Sequence, residues 1–229
     1  MTFALYAILL CVGCYLIGGI PFGYLAGLTR GIDIREHGSG NTGATNVGRV
    51  MGRKWAACIF LLDAAKGFLP ILLTGYVLRK PTTSADAYGA IAQIMWLGCG
   101  MCCVLGHSFP VYLRFKGGKG VATSLGVILG IYPYMSLAGA LAFVVWGVVL
   151  WASRMVSLAS ICAALSLPIF VTGCMLWDGL DVVASNVPMI VFAILIAGLV
   201  LYRHRGNIAR LRTGSESRLG DRANTADSP

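Results

Sequence analysis

Residues 36–53 read E-H-G-S-G-N-T-G-A-T-N-V-G-R-V-M-G-R, and this polar stretch separates two runs that are apolar enough to cross a bilayer. It contains five glycines, which let backbone N–H groups come close to a bound oxyanion. Arg49 adds a fixed fork of positive charge. Further donors are the side chains of Ser39, Asn41, Thr42, Thr45 and Asn46. The stretch predicts a phosphate-binding loop at a membrane surface; the alternative is a polar connector with a helix that begins at Thr45 or Asn46.

Composition places this loop in a membrane protein. Hydrophobic residues make up 57% of the 229 residues and charged residues only 12%, with a mean hydropathy of +0.78. A soluble globular domain has about 25% charged residues. Apolar runs occur at 3–29, 55–78, 87–106, 121–152, 155–177 and 182–202. Because a span needs about 20 residues, each run except the fourth fits one helix, and an all-α bundle is expected.

The fourth run decides the topology. A break at Tyr132-Pro133-Tyr134 would divide it into two short helices of about 16 residues and give seven spans, with the N-terminus outside and the C-terminus in the cytoplasm. Fifteen of the 18 Lys and Arg residues then lie inside, and only Arg79 and Lys80 lie outside. A single span would instead place the basic C-terminal segment outside, against the positive-inside rule. The first run lacks a basic leader and is expected to be an uncleaved helix.

Two charged residues, Asp63 and Lys66, lie within the second apolar run. Their spacing of three residues places them on one face of a helix. Charges inside a span often mark a functional site, but a pair that only neutralises itself remains an equal alternative. We expect both to support the phosphate-binding loop rather than to act in the chemistry.

A second basic, glycine-rich stretch at 106–123 includes Gly106-His107-Ser108 and Phe115-Lys116-Gly117-Gly118-Lys119-Gly120. Two lysines just before an apolar helix offer ammonium groups and a helix N-terminus to a second anion. It is not a nucleotide-binding Walker A loop, since Leu113 and Gly120 stand where Gly and Ser or Thr are required. His107 is either an interfacial histidine or part of the site.

A third basic stretch closes the chain at 204–216, with His204, Asn207, Arg210 and Glu216. A basic tail attracted to anionic lipid explains its arginines but neither Asn207 nor Glu216. Residues 1–218 are expected to form one membrane-embedded domain, and 219–229 a disordered cytoplasmic tail.

Cysteines and histidines give no metal signal. The pairs Cys11-x-x-Cys14 and Cys99-x-x-Cys102 lie inside apolar spans, where they are interpreted as small helix-packing residues. Three dispersed histidines do not make a metal site, so neither a metal nor another cofactor is expected. No partner that is a nucleic acid is expected either.

Together, the three stretches resemble the three cytoplasmic motifs of the bacterial acyl-phosphate:glycerol-3-phosphate acyltransferases, the PlsY family. The resemblance is carried by S-G-N-T-G-A-T-N with Arg49 (the first motif, residues 39–49), by G-H to the F-K-G-G-K-G core (the second motif, residues 106–123), and by H-R-x-N-x-x-R-L with G-x-E (the third motif, residues 204–216). The motifs occur in this order and extend across the whole membrane region. Asp63-x-x-Lys66-Gly67 also fits the family.

The resemblance implies an enzyme of the bacterial inner membrane with its active site facing the cytoplasm. It would move an acyl group from acyl phosphate to the 1-hydroxyl of glycerol 3-phosphate, giving lysophosphatidic acid, and could be coupled to the enzyme that makes acyl phosphate. By analogy, Ser39, His107 and Asn207 surround the reacting carbonyl, and Arg49 with Lys116 or Lys119 binds glycerol 3-phosphate. Acyl phosphate would lie on Gly40, Asn41, Thr42, Gly43, Thr45 and Asn46. Supporting residues would be Gly117, Gly118, Gly120, His204, Arg210, Glu216, Asp63 and Lys66.

The expected mechanism is direct transfer without an acyl-enzyme. In a His-x4-Asp arrangement, a carboxylate five residues after a histidine would activate it as a base. The residue at that distance from His107 is Tyr112, so the sequence spacing offers no such carboxylate. Acyl phosphate is already activated, and by family analogy a substrate phosphate oxygen would take the hydroxyl proton. A transporter for a phosphorylated metabolite is the alternative; its site should lie near the midplane, whereas these motifs lie on one face.

Overall fold

The computed structural model describes residues 3–78 and 89–220, and in these ranges the chain forms only helices and loops. The all-α prediction is therefore confirmed for this part of the chain. The helices are α1 Phe3–Gly19, α2 Phe22–Leu28, α3 Ala44–Met51, α4 Arg53–Leu78, α5 Gly89–Ser108, α6 Val121–Gly130, α7 Tyr134–Ser153, α8 Val156–Asp178, α9 Leu180–Ser185, α10 Val187–Arg203 and α11 Arg205–Arg212. A short 3-10 helix at Val111–Leu113 follows α5.

Several of these helices are long and apolar enough to span a membrane. Five spans meet that description within the described residues: Leu5–Leu28, Arg53–Leu78, Gly89–Leu113, Tyr134–Ser153 and Val156–Asp178. A sixth arises if α10 and α11, which meet at a bend of 63°, are counted together. Large apolar side chains remain exposed, including Trp177 at 92%, as expected of a surface that faces lipid. The count of seven and the orientation stay predictions.

The fourth apolar run breaks where its proline predicted. Helix α6 ends at Gly130 and α7 begins at Tyr134, after Pro133. The expected lengths of about 16 residues each are wrong, however, because α6 has 10 residues and α7 has 20. At 1.5 Å per residue α6 is only about 15 Å long, half the thickness of the hydrocarbon layer. Only α7 is thus long enough to cross.

Glycines let the central helices approach closely. A Cβ at Gly18 of α1 would collide with the backbone of Cys103 in α5, and one at Gly106 would collide with the backbone of Tyr15. Helices α4 and α6 meet in the same way, through Gly126 against the carbonyl of Ala64. Small residues at such crossings favour helix association in lipid, where packing rather than water exclusion drives contact.

One end of the bundle gathers the three motifs. There α5, α7 and α10 end, α4, α6 and α8 begin, and α3 leads into α4. Most of the predicted disordered tail, residues 221–229, lies outside the described residues. Leu219 is described and hydrogen-bonds Arg154 in both directions: its N–H donates to the Arg154 carbonyl at 2.6 Å, and Arg154 Nη2 donates to the Leu219 carbonyl at 2.8 Å.

Candidate active site

A cavity of about 120 Å³ at this end of the bundle is bordered by all three motifs. The first motif contributes Ser39, Asn41, Gly43, Ala44, Thr45, Asn46 and Arg49; the second His107, Lys119, Gly120, Val121 and Ala122; and the third His204, Asn207, Arg210 and Glu216. The motifs are far apart in sequence, so their convergence supports the prediction of a shared site.

The first motif is organised by Asn46. Its side chain is 1% exposed and uses both ends of the amide: Oδ1 accepts the Ser39 N–H at 2.7 Å, and Nδ2 donates to the carbonyls of Ile34 at 3.1 Å and His37 at 3.0 Å. Gly38, at φ +61°, has no room for a Cβ beside Asn46 Oδ1. Asn46 therefore shapes the loop, and its amide donors are not available to a ligand.

Two helix N-termini border the cavity. Helix α3 begins at Ala44, one or two residues before the start expected for a simple connector, and α6 begins at Val121 after Gly120 in the left-handed region at φ +80°. Neither start carries a side-chain cap. Uncapped N–H groups and the positive end of the helix dipole attract anions, so each start is suited to bind a phosphate.

Three basic side chains border the cavity, and they differ in the contacts that they make. Arg49 is exposed and makes no hydrogen bond or ion pair with any described residue. Arg210 Nε donates to Glu216 Oε2 at 2.8 Å. Lys119 Nζ donates to Asn207 Oδ1 at 2.6 Å. Burial lowers the pKa of Lys119 to about 8, against the opposing charge of Glu216.

Asn207 lies between Lys119 and Glu216. Its Oδ1 accepts from Lys119, and its Nδ2 donates to Glu216 Oε1 at 2.6 Å. Burial alone would raise the pKa of Glu216, but the neighbouring Ser157 hydroxyl, Asn207 and Arg210 stabilise the carboxylate and hold its pKa below the usual value. Asn207 thus links two charged groups instead of presenting a free amide to a carbonyl.

Other predicted residues are either exposed away from the cavity or almost fully buried. Lys116 and Gly40 are exposed and do not border the cavity. Thr42 is buried beside a small neighbouring cavity that Asp63, Lys66 and His107 also line. His204 is 2% exposed, with Nδ1 2.8 Å from the Val200 carbonyl. Of the two lysines proposed to bind glycerol 3-phosphate, only Lys119 borders the cavity.

Arg203 was missed by the sequence analysis. Its Nε and Nη2 donate to the Gly118 carbonyl at 3.0 and 2.8 Å, and Nη2 also donates to Gly117 at 2.8 Å. Its guanidinium lies 5.0 Å from the centre of the Phe109 ring. Arg203 therefore orders the glycine-rich part of the second motif, and its only sequence signal was its place at the start of a basic segment.

An apolar groove continues from the cavity between α6, α7, α8 and α10. The two share Phe60, Val121, Trp146 and Ser160. Phe143 and Trp146 stack with ring centres 5.5 Å apart, and Trp146 Nε1 donates to Ser160 Oγ at 3.2 Å. The groove has a volume of about 60 Å³ and is lined mainly by apolar side chains such as Ile128, Ala142 and Leu167. The site thus joins a polar, cationic cavity to an apolar groove.

One expectation from sequence spacing is wrong. No carboxylate was expected near a histidine, yet Asp63 Oδ1 lies 3.7 Å from His107 Nδ1. The two residues are 44 positions apart and belong to α4 and α5, so a search for a local motif could not find the pair. Among the described residues, no cluster of three or more His, Cys, Asp and Glu could hold a metal ion.

Comparisons with known proteins agree with this geometry. The model of a family described as glycerol-3-phosphate acyltransferase matches residues 8–214. A glycerol-3-phosphate acyltransferase of Aquifex aeolicus is 41% identical over 214 residues, covering 93% of this chain and 99% of the relative. One of Gloeobacter violaceus is 43% identical over 210 residues, covering 91% and 93%.

The chain belongs to the glycerol-3-phosphate acyltransferase family. Two solved structures of a family member support the same assignment: the integral membrane protein PlsY (YgiH) in its glycerol 3-phosphate form, 39% identical with a TM-score of 0.77, and in its lysophosphatidic acid form, 40% identical with a TM-score of 0.74. Each comparison covers 94% of this chain and 96% of the other. The suspected PlsY family membership is confirmed, and the protein is a multi-pass membrane acyltransferase.

Proposed function

We propose that this enzyme transfers a fatty acyl group from acyl phosphate to the 1-hydroxyl of sn-glycerol 3-phosphate, releasing lysophosphatidic acid and inorganic phosphate. The observation that carries the proposal is one cavity with two uncapped helix N-termini and cationic side chains that continues into an apolar groove. Both substrates carry a phosphate, and only the donor carries a long hydrocarbon chain. A site that combines two anion-binding elements with one groove suits this pair.

The two phosphates are assigned to different groups of side chains. The acyl phosphate headgroup would lie against Ser39, Asn41 and the start of α3, with its chain in the apolar groove past Trp146. Glycerol 3-phosphate would be held by Arg49 and Lys119, which border the same cavity. This placement brings the acceptor hydroxyl towards the acyl carbonyl at the meeting point of the motifs. Arg49 has no competing partner among the described residues and is free to form a bidentate pair.

The proposed reaction is a direct attack of the acceptor hydroxyl on the carbonyl carbon of acyl phosphate. The acceptor oxygen would form a bond to the carbonyl carbon as the acyl–phosphate C–O bond breaks, and the proton would leave on a phosphate oxygen. Arg210 and the N-terminus of α3 would stabilise the charge that develops on the leaving phosphate. A covalent acyl-enzyme would need a nucleophile with an adjacent base. Ser39 is exposed and makes no side-chain contact with a base among the described residues.

The proposal includes a placement in the membrane. We propose that the protein lies in the bacterial inner membrane with its cavity open to the cytoplasm, where glycerol 3-phosphate is available. The wide mouth of the cavity is lined by several arginines, including Arg203, Arg205 and Arg210, which suits recruitment of anionic substrates. The acyl phosphate would come from a separate enzyme that works in functional coupling with this one.

The test uses purified protein in detergent with a synthetic acyl phosphate. Phosphate release should require glycerol 3-phosphate, and mass spectrometry should detect lysophosphatidic acid in equal amount. Acyl coenzyme A, tested in parallel, should be a poor donor. Labelled acyl phosphate without acceptor should leave no label on the protein. Efficient use of the thioester would overturn the donor assignment, and a label on Ser39 that glycerol 3-phosphate removes would overturn direct transfer.

A further inference from the structure

A buried ion pair, of which Asp63 borders the cavity and Lys66 lies behind it, is not used by the proposed chemistry. Lys66 Nζ lies 2.8 Å from Asp63 Oδ1, and the two side chains are 3% and 4% exposed. Removing two charges from water costs several kcal/mol per ion before their attraction offsets it. A pair of apolar residues would fill the same space without that cost. The contacts that Asp63 and Lys66 make to other elements therefore indicate what the ion pair does.

Lys66 is linked to the first motif through the break between α1 and α2. Its Nζ donates to the Ile20 carbonyl at 2.6 Å, where the chain breaks between α1 and α2, and lies 5.5 Å from the centre of the Phe22 ring. One residue further, Gly23 packs so closely on the Thr42 carbonyl that a Cβ would collide with it. Lys66 thus fixes the segment against which the backbone of the first motif packs.

Asp63 reaches the second motif through His107. Its Oδ1 lies 3.7 Å from His107 Nδ1, and the His107 ring occupies the space that a Cβ at Gly118 would need. The Gly118 N–H also donates to the His107 carbonyl at 3.2 Å. A change in the orientation of the imidazole would therefore move Gly118, whose carbonyl is held from the other side by Arg203.

We propose that the Asp63–Lys66 pair is a common anchor that sets the distance between the two phosphate-binding motifs. Asp63 and Lys66 are positioning residues: Lys66 acts through the α1–α2 break on Thr42, and Asp63 acts through the ring of His107 on Gly118. The assignment rests on the proposed function only in naming acyl phosphate and glycerol 3-phosphate as the ligands whose alignment suffers. Neutralising the pair should therefore weaken the binding of both substrates together, unlike a change in either motif alone.

The variant that tests this is Asp63→Asn combined with Lys66→Met, since removing both charges leaves no unpaired ion in the bilayer. Replacement of a buried pair by neutral residues is often tolerated, so the melting temperature in detergent should stay close to wild type. The KM values for glycerol 3-phosphate and acyl phosphate should both rise about tenfold, because small misplacements are costly. The control is Thr74→Val on the same helix, which should leave both KM values unchanged. Thr74 is also buried, but its hydroxyl donates to the Pro70 carbonyl of its own helix and contacts Cys14 of α1, and neither partner belongs to a motif.

A spectroscopic readout separates positioning from general damage and does not depend on turnover. The chain has only three histidines, so ¹⁵N-histidine NMR can assign His107 by its loss in His107→Gln. Wild-type His107 should carry its proton on Nδ1, facing Asp63, and the double variant should shift this signal. If the double variant does not fold, Asp63→Glu, which keeps the charge but moves it by one methylene, should give the same shift and the same paired rise in KM.

The outcomes are distinguishable. A wild-type protein without acyl transfer would contradict the proposed function, while the His107 signal would still test the anchor. A folded double variant with unchanged KM values and an unchanged His107 signal would overturn the anchor, and so would a rise confined to one substrate.

Discussion

At the scale of single residues, the cations around the cavity differ in how firmly they are held. Lys119 is hydrogen-bonded to Asn207 and Arg210 to Glu216, whereas Arg49 has no partner among the described residues. A side chain held by the protein is pre-organised, and one without a partner can turn to meet a ligand. We therefore assign recognition of the incoming glycerol 3-phosphate chiefly to Arg49.

Arg49→Lys should raise the KM for glycerol 3-phosphate about tenfold, the effect of losing about 1.4 kcal/mol, with little change in kcat. Lysine keeps the charge but loses the planar pair of donors that grips a phosphate. Steady-state kinetics at saturating acyl phosphate gives both constants. Arg53→Lys, exposed and outside the cavity, is the matched control. A lower kcat with an unchanged KM would instead assign Arg49 to the transition state.

The lowered pKa of Lys119 predicts that the binding of glycerol 3-phosphate depends on pH. Because its pKa is lowered to about 8, the ammonium is charged at pH 7 and loses its proton as the pH rises through 8. The second pKa of a phosphate monoester is about 6, so the substrate is already a dianion over this range. The KM for glycerol 3-phosphate should therefore rise between about pH 7.5 and 9.5, because one cationic contact is lost. This pH range follows from the lowered pKa of Lys119, about 8.

Substitution identifies the titrating group. Lys119→Arg keeps its charge above pH 9 and should flatten the profile. Lys116→Arg, at an exposed position that does not border the cavity, should keep the wild-type profile. Parallel profiles for the wild type and Lys119→Arg would show that another group titrates.

Residue types predicted the region of the site better than the role of each side chain. Glycines together with small polar or basic side chains indicate an anion site regardless of how the chain folds. Arg49 of the first motif and Lys119 of the second both border the cavity. The contacts of Asn207 and Asp63 depend on side chains far away in sequence. Asn207 meets Lys119 88 positions away, and no local pattern encodes that distance. The same holds for Arg203, whose partners are backbone carbonyls with no sequence signal.

At the scale of helices, the short α6 is the element that brings the second motif into the bundle. It begins at Val121 beside the cavity and ends after 10 residues at Gly130. The proline predicted the break, but hydrophobicity could not predict the unequal lengths, because the α6 sequence and the α7 sequence are both mainly apolar. The position of α6 depends instead on close packing against α4, where Gly67 meets the Thr123 carbonyl and Gly126 meets that of Ala64.

Gly126→Ala should destabilise the protein and lower activity together. The added Cβ would collide with the Ala64 backbone, and relief requires α6 to move away from α4 and carry the second motif with it. Overpacking of this kind costs about 1–3 kcal/mol, more than the gain in helix propensity from glycine to alanine. The measurement is the melting temperature in detergent together with kcat/KM.

Gly147→Ala is the matched control for this change. Gly147 also lies inside a helix, α7, but is exposed and has no atom near the position of an added Cβ. It should keep or slightly raise the melting temperature through helix propensity. Equal effects of the two substitutions would show that the crossing of α4 and α6 does not set the position of the second motif.

At the scale of the whole molecule, the three motifs lie at one end of the bundle, and the basic residues follow them. The sequence could predict this arrangement because Lys and Arg cluster in the same segments as the motifs. Helix count is harder to predict, since α6 is too short to cross alone and α10 with α11 qualifies as a span only as a bent pair. Orientation therefore depends on the charge distribution rather than on counting helices.

The seven-span prediction puts fifteen Lys and Arg residues on the inner side, so the positive-inside rule predicts a cytoplasmic end of the chain. A fluorescent protein fused after Pro229 should therefore be bright, and alkaline phosphatase at the same point should be inactive. At Thr83, outside the described residues and next to Arg79 and Lys80, the phosphatase should be active. Both reporters are needed at each site, since a misfolded fusion gives neither signal. An active phosphatase after Pro229 would place the third motif on the outer face and refute a cytoplasmic active site.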